Sequence, residues 1–153
     1  MNNREKIKWL EQYRREQSRL RMLCTELDAL RAQGWELCRA RDGREDAPMP
    51  DWLARDLAQA RQEMEVQGAR CVLLRRRVVK AISRLEDERQ REVLCRRFLQ
   101  GQTVAEAADE MGVVPRRVEQ LQTEGVRLLA VEVQETGTET AKKARLKRGT
   151  PDL

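Results

Sequence analysis

From Arg4 to Arg41 the chain has no proline and a single glycine, Gly34. Apolar residues recur at Leu10, Tyr13, Leu20, Cys24, Leu27 and Leu30, with Gln17 filling one step. Steps that alternate between three and four residues place these side chains on one narrow stripe of a helix. Leu23, Trp35 and Leu37 are expected to widen the stripe near its end. The pattern breaks between Asp42 and Pro50, where a glycine, two prolines and several charges predict a loop. Asp51 is the expected N-cap of the next helix. There Leu53, Leu57, Ala60, Met64, Gln67, Cys71, Leu74, Val78, Ala81 and Leu85 keep an unbroken alternation of four and three. That is a sustained heptad seam. Two helices with narrow stripes and a short connection predict an antiparallel hairpin over residues 1–85, with its loop near 42–51. Val66, Val72, Leu73, Val79 and Ile82 lie off the seam, so the C-terminal half of the second helix needs a further cover.

Residues 86–133 change character: shorter helical patterns are separated by glycines. Val93, Leu94, Phe98 and Leu99 predict one short helix, with Gly101 just past its end. Thr103 and Glu106 have capping-box spacing and predict a second helix from Val104 to Met111. Ala107 and Ala108 are small enough for close helix approach. Gly112 permits a sharp turn, Val113 plugs it, and Pro115 suits the first position of a third helix. That helix is expected to run to about Val133, with Val118, Leu121, Val126, Leu128 and Leu129 inward. Residues 134–153 are polar, with a basic cluster at Lys142, Lys143, Arg145, Lys147 and Arg148. They carry too few apolar side chains to pack and predict a disordered tail able to touch phosphate.

Two helices joined by a tight glycine turn make a helix-turn-helix. The second helix must offer its first two turns to base edges. The outward residues there are Arg116, Arg117, Glu119, Gln120 and Thr123; arginine and glutamine can read guanine or adenine through two hydrogen bonds. Thr103 at the head of the first helix, with Arg96 and Arg97, completes the DNA-binding candidates. The partner this predicts is double-stranded DNA.

Composition narrows the alternatives. In 153 residues, 37% are charged and 3% aromatic, which favours long helices over one thick core. The chain has no histidine. Histidine-based acid–base catalysis, Ser-His-Asp and Cys-His nucleophiles and histidine metal sites are therefore excluded. Cys24, Cys38, Cys71 and Cys95 form no CxxC pair and read as free thiols in a reducing cytoplasm. No phosphate-binding glycine loop or metal-ligand spacing stands out, so neither an enzyme nor a cofactor is expected. No apolar run is long enough to span a membrane, and the expected location is the cytoplasm. Net charge is +5 overall, but residues 86–133 hold seven basic and ten acidic side chains, net −3. Such a segment cannot rely on long-range attraction to DNA. Arg75, Arg76 and Arg77 can add phosphate contacts or stand as a solvated helix surface.

The string from Glu92 to Val113, EVLCRRFLQGQTVAEAADEMGV, resembles region 4 of sigma-70-type RNA polymerase sigma factors, and Val118, Gln120 and Leu129 keep its register. The resemblance covers about 45 residues. A charged helical hairpin, Pro48-Met49-Pro50 in its loop, and this C-terminal unit together resemble small phage-encoded late-gene regulators of the ArpU and RinA types. The resemblance implies an all-α transcription regulator that binds promoter DNA and acts with host RNA polymerase. Val114 and Pro115 stand where sigma factors commonly carry a hydroxyl cap and an arginine. Arg116 and Glu119 stand where they often carry a glutamate and an arginine, whereas Gln120 agrees. The standard −35 hexamer is therefore not the expected target. Ala107 replaces a bulkier aliphatic residue, and Gly125 inside the recognition helix costs about 1 kcal/mol against alanine. The unit is expected to lean on the hairpin. A full sigma factor is not expected, because strand opening needs clustered aromatics and Trp9, Tyr13, Trp35, Trp52 and Phe98 are scattered. Two other classes fit the pattern: a small terminase-like DNA-packaging subunit, and a helical adaptor that grips polymerase without reading DNA. The heptad seam can also close between chains, as a homodimer.

Overall fold

A computed structural model of the chain describes residues 1–42 and 49–132. Every regular element among them is helical. Helix α1 spans Asn3–Asp42 and α2 spans Asp51–Ser83. Helix α3, Glu88–Leu94, continues into a π-helical turn over Cys95–Leu99. Helices α4, Val104–Met111, and α5, Pro115–Leu128, follow. The basic tail expected over 134–153 and most of the expected loop lie outside the described residues.

Helices α1 and α2 pack along their stripes as the hairpin. Asn2 and Glu5 start α1 with a reciprocal capping box. The Asn2 side chain accepts from the Glu5 N–H at 2.9 Å, and the Glu5 carboxylate accepts from the Asn2 N–H at 3.1 Å. The cap of α2 differs from expectation: Pro50 occupies it, and Asp51 is the first helical residue, where its charge suits the helix dipole. The nine seam positions within α2 are buried or half-buried, and the tenth, Leu85, is buried just past the helix end. In α1 the stripe ends differently. Trp35 and Leu37 are exposed; Gly34 and Cys38 take the inward positions because they continue the three–four stepping. Leu53 lies so close to Gly34 that a Cβ there would stand 2.7 Å from it.

Three apolar clusters hold the molecule. Leu27, Cys38, Leu53 and Leu57 form the one near the hairpin loop, with Met49 and Met64 against it. Val93, Ala107, Ala108, Val118 and Leu121 fill the small C-terminal unit. The third joins the two. Leu10, Tyr13, Val78 and Ile82 of the hairpin meet Leu94, Phe98, Val126 and Leu129. A boundary at Leu85 therefore cuts through one continuous core, and Ile82 finds its cover there. Val66, Val72, Leu73 and Val79 remain exposed. Between the hairpin's two clusters sits a polar layer. The Gln67 amide, 6% exposed, donates to the Glu16 carbonyl at 2.9 Å and its carboxylate at 2.6 Å. Arg70 lies 3.4 Å from the same carboxylate. A hairpin slipped by one turn would take Glu16 from that buried amide and from Arg70; a buried amide left unpaired costs about 1–3 kcal/mol.

Around the C-terminal unit each turn has a local cause. Asp87 caps α3 by accepting from the Arg89 and Gln90 N–H groups at 2.8 and 3.1 Å. The π turn, closed by Gln100 N–H to Cys95 carbonyl at 3.0 Å, turns Phe98 into the shared core. Gly101 has φ +71°, and the Arg14 guanidinium occupies the space a Cβ would take. Gly112 has φ +68° and ends α4 in the left-handed region. The last helix is shorter than the sequence suggests. It stops at Leu128, not near Val133, because Leu129 turns extended and drops into the junction core. Leu128 is thereby left exposed, not inward. Gly125 faces α3, where a Cβ would meet Gln90 and Leu94 at 3.4 Å.

Two stability results are expected. Phe98→Ala should cost about 3–5 kcal/mol, the usual toll of emptying a buried aromatic site. In a chain with Trp35→Phe and Trp52→Phe, far-UV circular dichroism and Trp9 fluorescence should move to lower temperature together; a shift confined to one probe would mean separate cores. Gly125→Ala has van der Waals room and removes a helix-interior glycine, so thermal unfolding should show a gain of up to about 1 kcal/mol.

Candidate nucleic-acid interface

Helix α5 is anchored on one side and open on the other. Val118, Leu121, Gly125 and Val126 face inward. Pro115 takes the first helical position, where its missing N–H leaves no bond unmade, and Val114 caps with no side-chain bond. Val118 and Leu121 belong to the small cluster with Ala107 and Ala108, which holds α5 against α4. Val126 belongs to the junction core. The two anchors leave α5 one free face, from its N-terminus to its middle.

Arg116, Arg117, Glu119, Gln120 and Thr123 share that face and are all exposed. Together with Glu124 they line one shallow depression. Glu124 follows Gln120 by four residues, so helical spacing alone could have added it. It pairs with Arg127, whose hydrogen bond holds the Glu124 carboxyl below its ordinary pKa and raises that of the guanidinium. Val114, 66% exposed, is the N-cap residue just ahead of α5. The surface thus offers two guanidinium groups without a partner among the described residues, an amide and a hydroxyl, with carboxylates beside them. Those are the groups that meet base edges in a major groove.

The other candidates lie elsewhere. Thr103 is exposed and caps α4 by accepting from the Glu106 N–H at 3.1 Å. No return bond from the Glu106 carboxylate is present among the described residues, so only half the capping box forms. Arg96 is held between Glu92 at 3.1 Å and Glu110, with Gln102 beside it. Arg97 donates to the Gln122 side chain at 2.8 Å and to the Gln102 carbonyl at 2.5 Å. These two arginines tie the π turn to α4, to α5 and to the loop between the turn and α4. The structure does not bring them onto the α5 face.

Contacts that position α5 come from residues the sequence did not single out. Lys6 donates to the Arg127 carbonyl at 2.8 Å, placing a cation on the last turn of α5. Arg84 donates to Glu132 at 2.8 Å just beyond it. Arg91 donates to the Leu85 carbonyl at 2.5 Å and so braces the α2–α3 connection. All three join residues whose partners are set by folding, except that the lysine-to-helix-end charge logic could have been sought. Among the described residues no cluster of three or more metal-ligating side chains occurs, and no helix is long and apolar enough to cross a membrane.

The division of labour is measurable. Arg97→Ala should lower stability by about 1–3 kcal/mol, because partly buried acceptors lose their donor. Arg116→Ala should stay within about 0.5 kcal/mol of the parent, as for other open surface positions. Urea unfolding of the two variants gives the comparison; equal losses would show that Arg116 too is a strut.

The family model described as "Sigma-70, region 4" matches residues 81–130. No curated protein and no solved structure matches the chain. The match starts in the last turn of α2 and ends just after α5, so it takes in the junction residues Ala81, Ile82 and Leu85 along with the three short helices. Residues 81–130 are a sigma-70 region 4-like helix-turn-helix, a non-catalytic, DNA-binding kind of domain typical of transcription regulators.

Proposed function

We propose that this chain is a sequence-specific transcription regulator. It lays α5 in the major groove of double-stranded promoter DNA and acts with the RNA polymerase of a bacterial host. One observation carries the reading: Arg116, Arg117, Glu119, Gln120 and Thr123 stand together on the exposed face of a helix whose opposite face is anchored twice. In this reading Arg116, Arg117 and Gln120 supply the hydrogen bonds to base edges. Glu119 accepts from cytosine, Thr123 serves either kind of edge, and Val114 packs on a thymine methyl. Thr103 and the first N–H groups of α4 take a phosphate. Arg96 and Arg97 keep the two helices at the angle the groove requires and touch phosphate only secondarily.

The hairpin and the region 4-like unit together fit a small phage or prophage regulator of the ArpU or RinA type, working in the cytoplasm of the host. The net −3 charge of residues 86–133 makes recruitment by a protein partner the natural complement to DNA contact. The heptad seam of α2 is closed by α1 of the same chain. A homodimer would then need another surface, so a single copy acting beside polymerase is the assembly we favour.

Arg116→Ala combined with Arg117→Ala tests the assignment. In a binding titration with DNA fragments from the chain's own gene neighbourhood at fixed salt, the parent should select a defined site. The double variant should bind it at least tenfold more weakly, as expected for the loss of about 1–3 kcal/mol per base-reading side chain. Equal, site-independent binding by both proteins would refute base reading by α5 and leave the hairpin adaptor as the better reading.

A further inference from the structure

The outer side of α2 carries a groove unlike the rest of the surface. It has a volume of about 530 Å³ and runs between the C-terminal half of α2 and the segment that follows α5. Trp9, Leu73, Val79 and Ala81 give it apolar lining, while Arg75, Arg76, Arg77, Lys80 and Arg84 add five cations. Leu73 and all five cations are exposed, and Val79 is 37% exposed. The groove lies past the C-terminal end of α5, at Ala130 and Glu132. At 1.5 Å per residue, Ala130 is about 20 Å along the chain from Arg116, so an occupant would not cover the base-reading face.

The chemistry of the groove selects among occupants. Duplex DNA would use the cations but leave Leu73, Val79 and the Trp9 ring without a partner. A second copy related by a two-fold axis would set the five cations against themselves. A carboxylate-rich segment with apolar side chains satisfies both parts. The chain supplies an internal precedent: Glu132 already sits at one end of the groove, 2.8 Å from Arg84. The hydrogen bond from Arg84 and the charge of Lys80 hold its carboxyl below the ordinary pKa.

We propose that this groove docks an acidic segment of another protein, with the segment's apolar side chains on Leu73, Val79 and Trp9 and its carboxylates on Arg76, Arg77 and Lys80. The inference does not depend on α5 reading DNA. It makes the hairpin a second recognition surface, set at a fixed distance from the first by the junction core.

The test uses the full chain and a short fluorescent peptide in which glutamates alternate with leucine-bearing turns. Its controls are the same peptide with every glutamate replaced by glutamine and an unlabelled DNA duplex as competitor. Anisotropy should show binding to the acidic peptide that weakens with salt. Arg76→Glu with Lys80→Glu should weaken it at least about tenfold, and so should Leu73→Ser, with circular dichroism unchanged in both. In a chain with Trp35→Phe and Trp52→Phe, Trp9 emission should shift as the peptide saturates. DNA binding, measured in parallel, should survive both sets of changes. The proposal is overturned if the acidic peptide does not bind at low salt, or if the glutamine peptide binds as well. It is also overturned if the double variant loses DNA and keeps the peptide, which would make the surface a phosphate contact.

Discussion

Burial of Phe98, Leu94, Val126 and Leu129 against Leu10, Tyr13, Val78 and Ile82 is the constraint on which the other features rest. The small C-terminal unit has five fully buried side chains of its own, two of them alanines. A core that small cannot stabilise an independent domain by much. Its remaining apolar surface is met by the hairpin instead. The π turn, the early stop of α5 and the extended Leu129 are all means of delivering a side chain to that junction. Each gives up some regular helix in exchange for apolar burial, and at about 25 cal/mol per Å² a buried leucine or phenylalanine outweighs one irregular turn.

The same junction sets the orientation of α5. Two anchors on one side leave a single rigid face, and rigid elements hold recognition groups better than loops do. Arginines are used twice over in this small unit, with opposite duties. Arg96 and Arg97 spend their donors on Glu92, Glu110, Gln102 and Gln122, so the turn between helices is held by charge-assisted bonds. Arg116 and Arg117 carry no such bonds among the described residues and keep their forks available. Composition alone does not distinguish the two pairs, yet the distinction separates the residues that shape the surface from those that would do the reading.

Charge follows a complementary division. Residues 1–85 carry net +6 and residues 86–133 net −3. DNA contact by a net acidic unit must come from few, well-placed groups, which puts a premium on the geometry of α5 and less on long-range attraction. Both hairpin helices share that positive charge, net +3 over Asn3–Asp42 and net +3 over Asp51–Ser83; on α2, Arg75, Arg76 and Arg77 stand away from the apolar seam, beside hydrophobic side chains that nothing described covers. On the proposed reading, DNA at one end and an acidic protein segment along the side would not compete for surface.

Periodicity was sufficient for the elements that repeat. The seam residues from Leu53 to Ala81 lie along the inward side of α2, and the glycine turn, the capping threonine and the first-position proline of the helix-turn-helix fall where local chemistry places them, because each depends on neighbours three or four residues away. The exposed face of α5 was legible for the same reason: Val118 and Leu121 define its inward side, and the residues between them must point out. What failed to show were effects of distant partners. Trp35, Leu37 and Leu128 have the hydrophobicity of core residues, but α1 and α5 present other positions to their neighbours. Arg96 and Arg97 look like free cations until Glu110 and Gln122 are brought beside them. Gly125 reads as a weakness, and the packing of α5 on Gln90 and Leu94 leaves a Cβ there 3.4 Å of room. Local rules thus settle where helices form and which side of each is apolar, since those follow from spacing along one chain segment. Where a helix stops, which arginine is a strut and which face stays uncovered depend on contacts between segments up to 121 residues apart, such as Lys6 on Arg127, and these exist only once the hairpin and the small unit share a core.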